Sequence, residues 1–316
     1  MPITILQTAL DNGLIYALIA LSLFISFTIL GIADLSTDGC YMLGAAVGVS
    51  CTLAGHPFLA LPAAMTAGAV SGFINAFLQT RLRVQSILAG IIVNTALYTI
   101  NLFVMRMKTN LNIVGKRTIY EVIDHLVPGP FWHTWHRSLF LLALLLVVAA
   151  LMNWFMGTRL GLSIRATGDS SAMVRASSIN PAFTVTVGLC LGGAMTGMAG
   201  ALIGQYNKNC EINMGTGMVT IALASLIIGQ TLFGRGRMRA RILGTIAGSV
   251  LYRFIIALAL RLHVPTQAFK LVSALIVAIA IAAPAVKEMV QEKARKRQRL
   301  RRRAQEKEGL SESANA

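Results

Sequence analysis

The sequence predicts an all-α, polytopic membrane protein with about eight to nine transmembrane helices. Three observations predict it. Of 316 residues, 55% are hydrophobic, and the mean hydropathy is +0.68. Only 13% are charged, about half the ~25% of an ordinary soluble domain. The apolar residues collect in runs of about 20, the length that crosses a bilayer core as a helix, and backbone exposed to lipid must be helical to satisfy its own hydrogen bonds. A formal charge of +16 would by itself suggest a polyanion as partner. This much apolar surface excludes a soluble nucleic-acid binder, so no nucleic acid is expected.

In chain order, spans are expected near 5–30, 39–54, 57–78, 86–105, 138–157, 181–205, 216–233, 242–260 and 267–286. The first lacks a basic leading region and exceeds the about 7–15 residues of a signal-peptide core, so it is expected to stay as a span. The second is short for a crossing, and it either spans or re-enters. Most of the 28 glycines fall within these segments, which suits close helix packing in lipid. The four cysteines (Cys40, Cys51, Cys190, Cys210) lack CxxC spacing and read as small packing residues rather than a disulfide or zinc framework.

Basic residues orient the spans, because cytoplasmic loops are enriched in Lys and Arg. With the tail from Lys287 inside, alternation also places 79–85, 158–180 and 234–241 inside, and together these hold 19 of the 28 basic residues. The outside segments hold seven. Nine crossings put the N-terminus outside; a re-entrant second segment would put it inside.

Three regions carry mechanism. The first is Asp34-Leu35-Ser36-Thr37-Asp38-Gly39, with two carboxylates, two hydroxyls and a glycine between two spans. It reads either as a broken helix facing a substrate pathway or as a tight turn in which Asp34 or Ser36 caps the next helix. The second is the cytoplasmic stretch 161–181, where Asp169 or Ser170 is a candidate N-cap, residues 172–177 suit a short helix, and Pro181 opens the next span. The third is Gly-rich: Gly193/Gly197 and Gly200/Gly204 form two small-xxx-small pairs that let another helix approach closely.

Taken together and in this order, these regions resemble the membrane subunits of bacterial ABC importers of the branched-chain amino acid/ribose permease family, over about residues 5–286. The strongest parts are Asp34-Leu-Ser-x-x-Gly39 and Arg165-Ala-x-Gly168-Asp169-x-x-Ala172, the latter leading through Ser178-Ile179-Asn180 to the Gly-rich helix. Within that family, Asp34–Gly39 with Leu43-Gly-Ala-Ala46, and Ala96-Leu-Tyr98-x-Ile-Asn101, are most similar to tryptophan/tyrosine transport permeases. The resemblance implies a permease domain over 1–286 built of two inverted halves, followed by a basic cytoplasmic tail over 287–316. It implies a coupling helix within 161–180 that docks on an ATP-binding subunit, with Gly168, Asp169, Ala172, Arg175 and Ile179 as the coupling residues. It also implies a second permease copy, an extracytoplasmic substrate-binding protein, and location in the bacterial cytoplasmic (inner) membrane. ATP and Mg would be bound by the partner subunit, with no cofactor in this chain.

The absences agree with a transport subunit rather than an enzyme. No G-x-x-x-x-G-K-[ST] motif occurs, so no P-loop is expected, and no nucleophile–base constellation is visible. His133-Thr-Trp-His136 has metal-pair spacing but no carboxylate or Cys in the run; flanked by Trp132 and Trp135, it reads as an interfacial aromatic anchor. Arg253 falls within a span, where a basic residue costs about 2.5–3.5 kcal/mol on insertion scales. It pairs with a substrate carboxylate, makes a structural ion pair, or lies at a helix end. Asn94, Tyr98 and Asn101 share one helical face, and either line a pathway or make interhelical hydrogen bonds. The tail, with ten basic and five acidic residues, reads as an anchor on anionic lipid.

The expected function is thus a permease moving a small solute, an amino acid and foremost an aromatic one, through a pathway for which Asp34, Ser36, Asp38, Asn94, Tyr98 and Asn101 are the candidates. The alternatives are an ABC permease for a sugar or nucleoside, and an ion-gradient-driven secondary transporter.

Overall fold

The computed structural model describes residues 3–126, 135–233 and 236–261, and the single positions 275, 278 and 282. The ninth expected span, apart from those positions, and the basic tail lie outside the described residues. Every expected span from 5 to 260 coincides with a helix: α1 (Ile3–Leu23), α2 (Thr37–Leu53), α3 (Ala60–Thr80), α4 (Ser86–Val104), α6 (His136–Met156), α9 (Pro181–Tyr206), α10 (Met218–Phe233) and α11 (Met238–Arg261). Between them lie α5 (Ile119–Leu126), α7 (Arg159–Asp169), α8 (Ser171–Ala176), and a small antiparallel pair, β1 (Asn110–Asn112) with β2 (Asn209–Glu211).

Six helices among the described residues are long and apolar enough to cross a membrane: Ile5–Ile29, Ala60–Thr80, Ser86–Val104, His136–Met156, Pro181–Tyr206 and Met238–Ala259. The first gains its length because α1 continues as a π turn over Phe24–Ile29. At 1.5 Å per residue, the 17 residues of α2 and 16 of α10 reach about 25 Å, short of a ~30 Å hydrocarbon core.

The two longest apolar stretches form the centre. Inside the protein lie 83% of the apolar stretch of α1 and 78% of that of α9, against 28% for α4 and α6. Leu14, Ile15, Leu18, Phe24, Leu202 and Ile203 are core residues; the outer helices turn large apolar side chains such as Phe73, Ile91 and Leu151 outward. That pattern suits lipid.

The packing is that of two inverted halves. Helices α1 and α9 run antiparallel, with Ser22 bonded to Thr196 at 2.9 Å and Leu30 against Gly188. On α9 lie α2 and α3, and on α1 lie α10 and α11 in the equivalent places. Gly193 and Gly197, the first expected small-xxx-small pair, supply the close approach: a Cβ on Gly193 would overlap the backbone of Gly68, and one on Gly197 that of Ala64. Such contact replaces the hydrophobic drive that lipid does not provide between helices.

Candidate functional site

The connection from the π turn to α2 is fixed by side chains. Asp34 Oδ1 accepts from the backbone N–H of Ser36 at 2.9 Å, from Ser36 Oγ at 2.6 Å and from Asn75 Nδ2 of α3 at 2.8 Å. Gln79 Nε2 donates to Asn75 Oδ1 at 3.0 Å. Asp34 and Ser36 therefore belong to a turn network leaning on α3, but the expected cap is not made: Ser36 stands at the N-cap position of α2 without a side-chain cap bond.

Asp38 does something different. Its Oδ2 accepts the N–H of Gly217 at 2.9 Å and its Oδ1 that of Val219 at 2.8 Å. The carboxylate thus satisfies two of the unpaired N–H groups at the start of α10, where negative charge also complements the helix dipole. A Cβ on Gly215 would overlap the carbonyl of Asp38. So α2 and α10, one short helix from each half, meet start to start.

Beside this junction is a pocket of about 300 Å³ whose lining includes Asp38, Gly39, Asn94, Tyr98 and Asn101. Asn94 and Asn101 come from α4 and close on Gly39: a Cβ there would lie 2.6 Å from Asn94 Oδ1, and Asn101 Nδ2 donates to the Gly39 carbonyl at 3.2 Å. Asn101 Oδ1 is buried and has no hydrogen-bond partner. Tyr98 is 49% exposed. Four of the six pathway candidates thus line one pocket, and Asp34 and Ser36 stand apart with Asn75. Thr95 of α4 and Asn213 and Thr216, ahead of α10, complete the polar lining. The sequence held a signal for Asn213 and Thr216: Asn213-Met-Gly-Thr-Gly217 precedes a short apolar run, as Asp34–Gly39 does in the first half. Asn75, an amide among apolar residues one turn ahead of Gln79 in the same helix, was likewise open to notice.

The coupling candidates share a second site. Thr158 caps α7, its side chain accepting from Gly161 at 3.3 Å; Ser170 breaks the helix and caps α8 through Met173 at 3.4 Å. Asn180 caps α9, with Pro181 in its first turn. The cap of α8 is Ser170, while Asp169 ends α7, a helix the sequence reading did not separate from the short one. Its buried face, Gly161, Ile164 and Thr167, has helical spacing. A groove of about 1310 Å³ is lined by Gly168, Asp169, Ala172, Arg175 and Ile179, together with Arg83 beyond α3. Asp169, Ala172 and Arg175 are exposed, whereas Gly168 lies against the π turn, where a Cβ would overlap the carbonyl of Ile29.

Two expectations outside these sites change. His136, expected as part of an aromatic anchor, is buried and pairs with Asp124, which also receives Arg137 at 2.7 Å; Trp132 and His133 lie outside the described residues. The sequence run showed no carboxylate near His136 because Asp124 arrives from α5. No group of three or more metal-ligating side chains occurs among the described residues. Arg253 is not at a helix end, since α11 continues to Arg261. Its guanidinium lies 3.5 Å from the ring centroid of Tyr16, and no ion pair reaches it among the described residues. On the β1–β2 side, Lys208 pairs with Glu121 and holds its carboxyl below the usual range, while burial pushes the Cys210 thiol up to about 12.

Compared with known proteins, residues 5–281 match the family model described as branched-chain amino acid transport system, permease component. The tyrosine transport system permease protein of Clostridioides difficile (strain R20291) is 29% identical over 271 residues, 85% of this chain and 88% of that one. The ribose import permease protein of Escherichia coli (strain K12) is 25% identical over 232 residues, 70% and 67% of the two chains. The guanosine ABC transporter permease protein of Bacillus subtilis (strain 168) is 25% identical over 227 residues, 63% and 67%. No solved structure matches the chain.

Proposed function

Because the chain belongs to the family of branched-chain amino acid transport system permease components, we propose that it is the membrane subunit of an ABC importer for an amino acid, foremost an aromatic one. A binding protein outside the cytoplasmic (inner) membrane hands over the solute, and two copies of the chain pass it inward. Separate ATPase subunits, which hold the ATP and Mg, drive the cycle from the cytoplasmic groove through the end of α7 and through α8, where Asp169, Ala172 and Arg175 are exposed to a partner. The C-terminal tail lies on that same side.

The observation that carries this reading is the junction of α2 and α10 beside a pocket that the Asp38 carboxylate, held by α10, shares with uncharged hydrogen-bonding groups. Short helices that begin inside the membrane leave polar backbone and amide groups facing a cavity rather than lipid, the usual setting of a substrate path. Asn94, Tyr98 and Asn101 supply donors and acceptors there without a net charge, which fits a zwitterion. The 29% identity to the tyrosine permease supports the amino acid. The same amides suit the hydroxyls of a sugar or nucleoside, and the ribose and guanosine permeases among the relatives support that second reading. An ion-gradient mechanism has less support, because the carboxylate of Asp38 is engaged by α10.

Reconstitution with the ATPase subunit and binding protein that co-purify with it, followed by uptake of labelled tyrosine, leucine, ribose and guanosine, tests the proposal. ATP-dependent tyrosine uptake is expected. Uptake of ribose or guanosine alone would overturn the amino-acid assignment, and uptake that follows an ion gradient without ATP would overturn the importer.

A further inference from the structure

The guanidinium of Arg253 is a cation within the bundle that has no counter-ion among the described residues. Its Nε is buried without a hydrogen-bond partner. The face of Tyr16 attracts its charge but accepts few of its five N–H donors. Seven of the 12 acidic residues precede the tail, and none is available. Asp11 is held by Ser138 and Tyr206, Asp34 by Ser36 and Asn75, and Asp38 by the N–H groups of Gly217 and Val219. Glu121 is paired with Lys208, and Asp124 with His136 and Arg137. Asp169 ends α7 and Glu211 lies in β2, both exposed and neither paired with Arg253. Beyond Arg253 the chain has no Asp or Glu before Glu288, so the last apolar segment brings no carboxylate to it.

Next to this cation a pocket of about 290 Å³ opens between α1 and α11. Its polar groups are Thr8, Asn12 and Arg253, and Ile5, Ile256 and Ala257 are among its apolar walls. A charge facing such walls is poorly screened, so its attraction for an opposite charge is stronger than in water. The guanidinium fork matches the two oxygens of a carboxylate or phosphate.

We propose that this pocket binds an oxyanion, a single carboxylate or phosphate group carried by a molecule outside the chain. The group pairs with the Arg253 fork and is assisted by the Asn12 amide, while the apolar body of the molecule rests on Ile5, Ile256 and Ala257. The site is separate from the pocket beside Asp38, and its test does not depend on what is transported.

The full chain is placed in nanodiscs of digalactosyldiacylglycerol, a lipid without phosphate, and its unfolding temperature is read in sodium chloride and in sodium acetate at equal ionic strength. A second set of discs contains phosphatidylglycerol, with chloride only. A rise of about 2–4 °C is expected in at least one arm. Acetate alone identifies a soluble carboxylate as the source, and phosphatidylglycerol alone identifies a lipid headgroup. Arg253→Gln is expected to erase the rise and Arg253→Lys to reduce it. Ala257→Leu, which fills the pocket and keeps the charge, is expected to erase it too. Should Arg253→Gln fail to fold, the other two variants carry the test. No rise in either arm, or a rise that Ala257→Leu and the Arg253 variants keep in full, overturns the proposal.

Discussion

Asp38 accepts the backbone N–H of Gly217 at 2.9 Å, a bond between residues 179 positions apart that ties the start of α2 to the start of α10. With the second bond to Val219, it is a helix cap supplied from the opposite half of the molecule. Replacing Asp38 with Ala leaves two N–H groups without an acceptor, and each buried unsatisfied group costs about 1–3 kcal/mol. Asp38→Ala is therefore expected to lower the unfolding temperature clearly, and Asp38→Asn, which keeps one acceptor oxygen, to lower it less. Equal unfolding temperatures for the wild type and the Ala variant would contradict the cap.

Gly168 and Asp169 are neighbours in sequence with different duties. No side chain fits at Gly168, because the carbonyl of Ile29 occupies the place of a Cβ. Gly168→Ala must push α7 off the π turn, and overpacking of this kind costs about 1–3 kcal/mol or more. Asp169 is exposed, and exchanging it for Asn is expected to change stability by less than about 0.5 kcal/mol. Size-exclusion profiles should then show Gly168→Ala impaired and Asp169→Asn normal. ATPase stimulation by the assembled complex is expected to fall in Asp169→Asn, and full stimulation would remove Asp169 from the coupling contact.

The pocket beside Asp38 allows packing to be separated from recognition. Asn101 donates to the carbonyl of Gly39 at 3.2 Å, so Asn101→Ala is expected to lose about 1 kcal/mol of stability along with transport. Tyr98 is half-exposed, and among the described residues its hydroxyl makes no bond that holds two helices together. Tyr98→Phe is expected to leave the unfolding temperature unchanged and raise the KM for uptake. Unchanged KM with unchanged stability would place Tyr98 outside the path.

The helices were legible because period and length act locally: apolar runs of about 20 residues have little choice but to become helices in lipid. The small-xxx-small pattern of Gly193 and Gly197 likewise announced a close approach, since nothing but steric room explains it. Partners were not legible. Nothing near Asp38 in sequence shows that its carboxylate meets Gly217, and nothing near His136 shows that Asp124 reaches it, because both depend on how distant helices dock. The four residues that share the pocket were found for two unrelated local reasons, polarity at a turn and polarity on one helix face. Only the packing of α4 against the start of α2 makes them one site. The missed residues, Asn75, Thr95, Asn213 and Thr216, carry the same kind of signal in weaker surroundings.

Cysteine labelling checks the burial of the outer layer. The Cys210 thiol, in β2, is fully buried and its pKa is pushed up to about 12 by that burial, so almost no thiolate exists near neutral pH. Cys40 is also buried, whereas Cys51 and Cys190 are partly exposed. Maleimide at pH 7.5 is expected to label Cys51 and Cys190 slowly and to spare Cys40 and Cys210 until the protein is unfolded. Rapid labelling of Cys210 in the folded protein would show that the β1–β2 layer opens.

The pair of Lys208 and Glu121 gives a pH dependence with a definite sign. Lys208 donates to Glu121, and this bond is the largest cause that lowers the carboxyl below its ordinary 4.5. A carboxylate favoured in the folded protein adds stability that is fully present above the unfolded value. That contribution is lost as pH falls below about 4.5 and through the lower folded value. Both side chains are about one-third exposed, so solvent screening limits the contribution to roughly 0.2–1 kcal/mol. Unfolding temperature measured from pH 7 down to pH 3 should therefore fall less steeply in Glu121→Gln than in the wild type, with the two curves parallel above pH 6. High salt should narrow the difference, since exposed pairs are screened. Parallel curves over the whole range would show that the pair contributes nothing to folding.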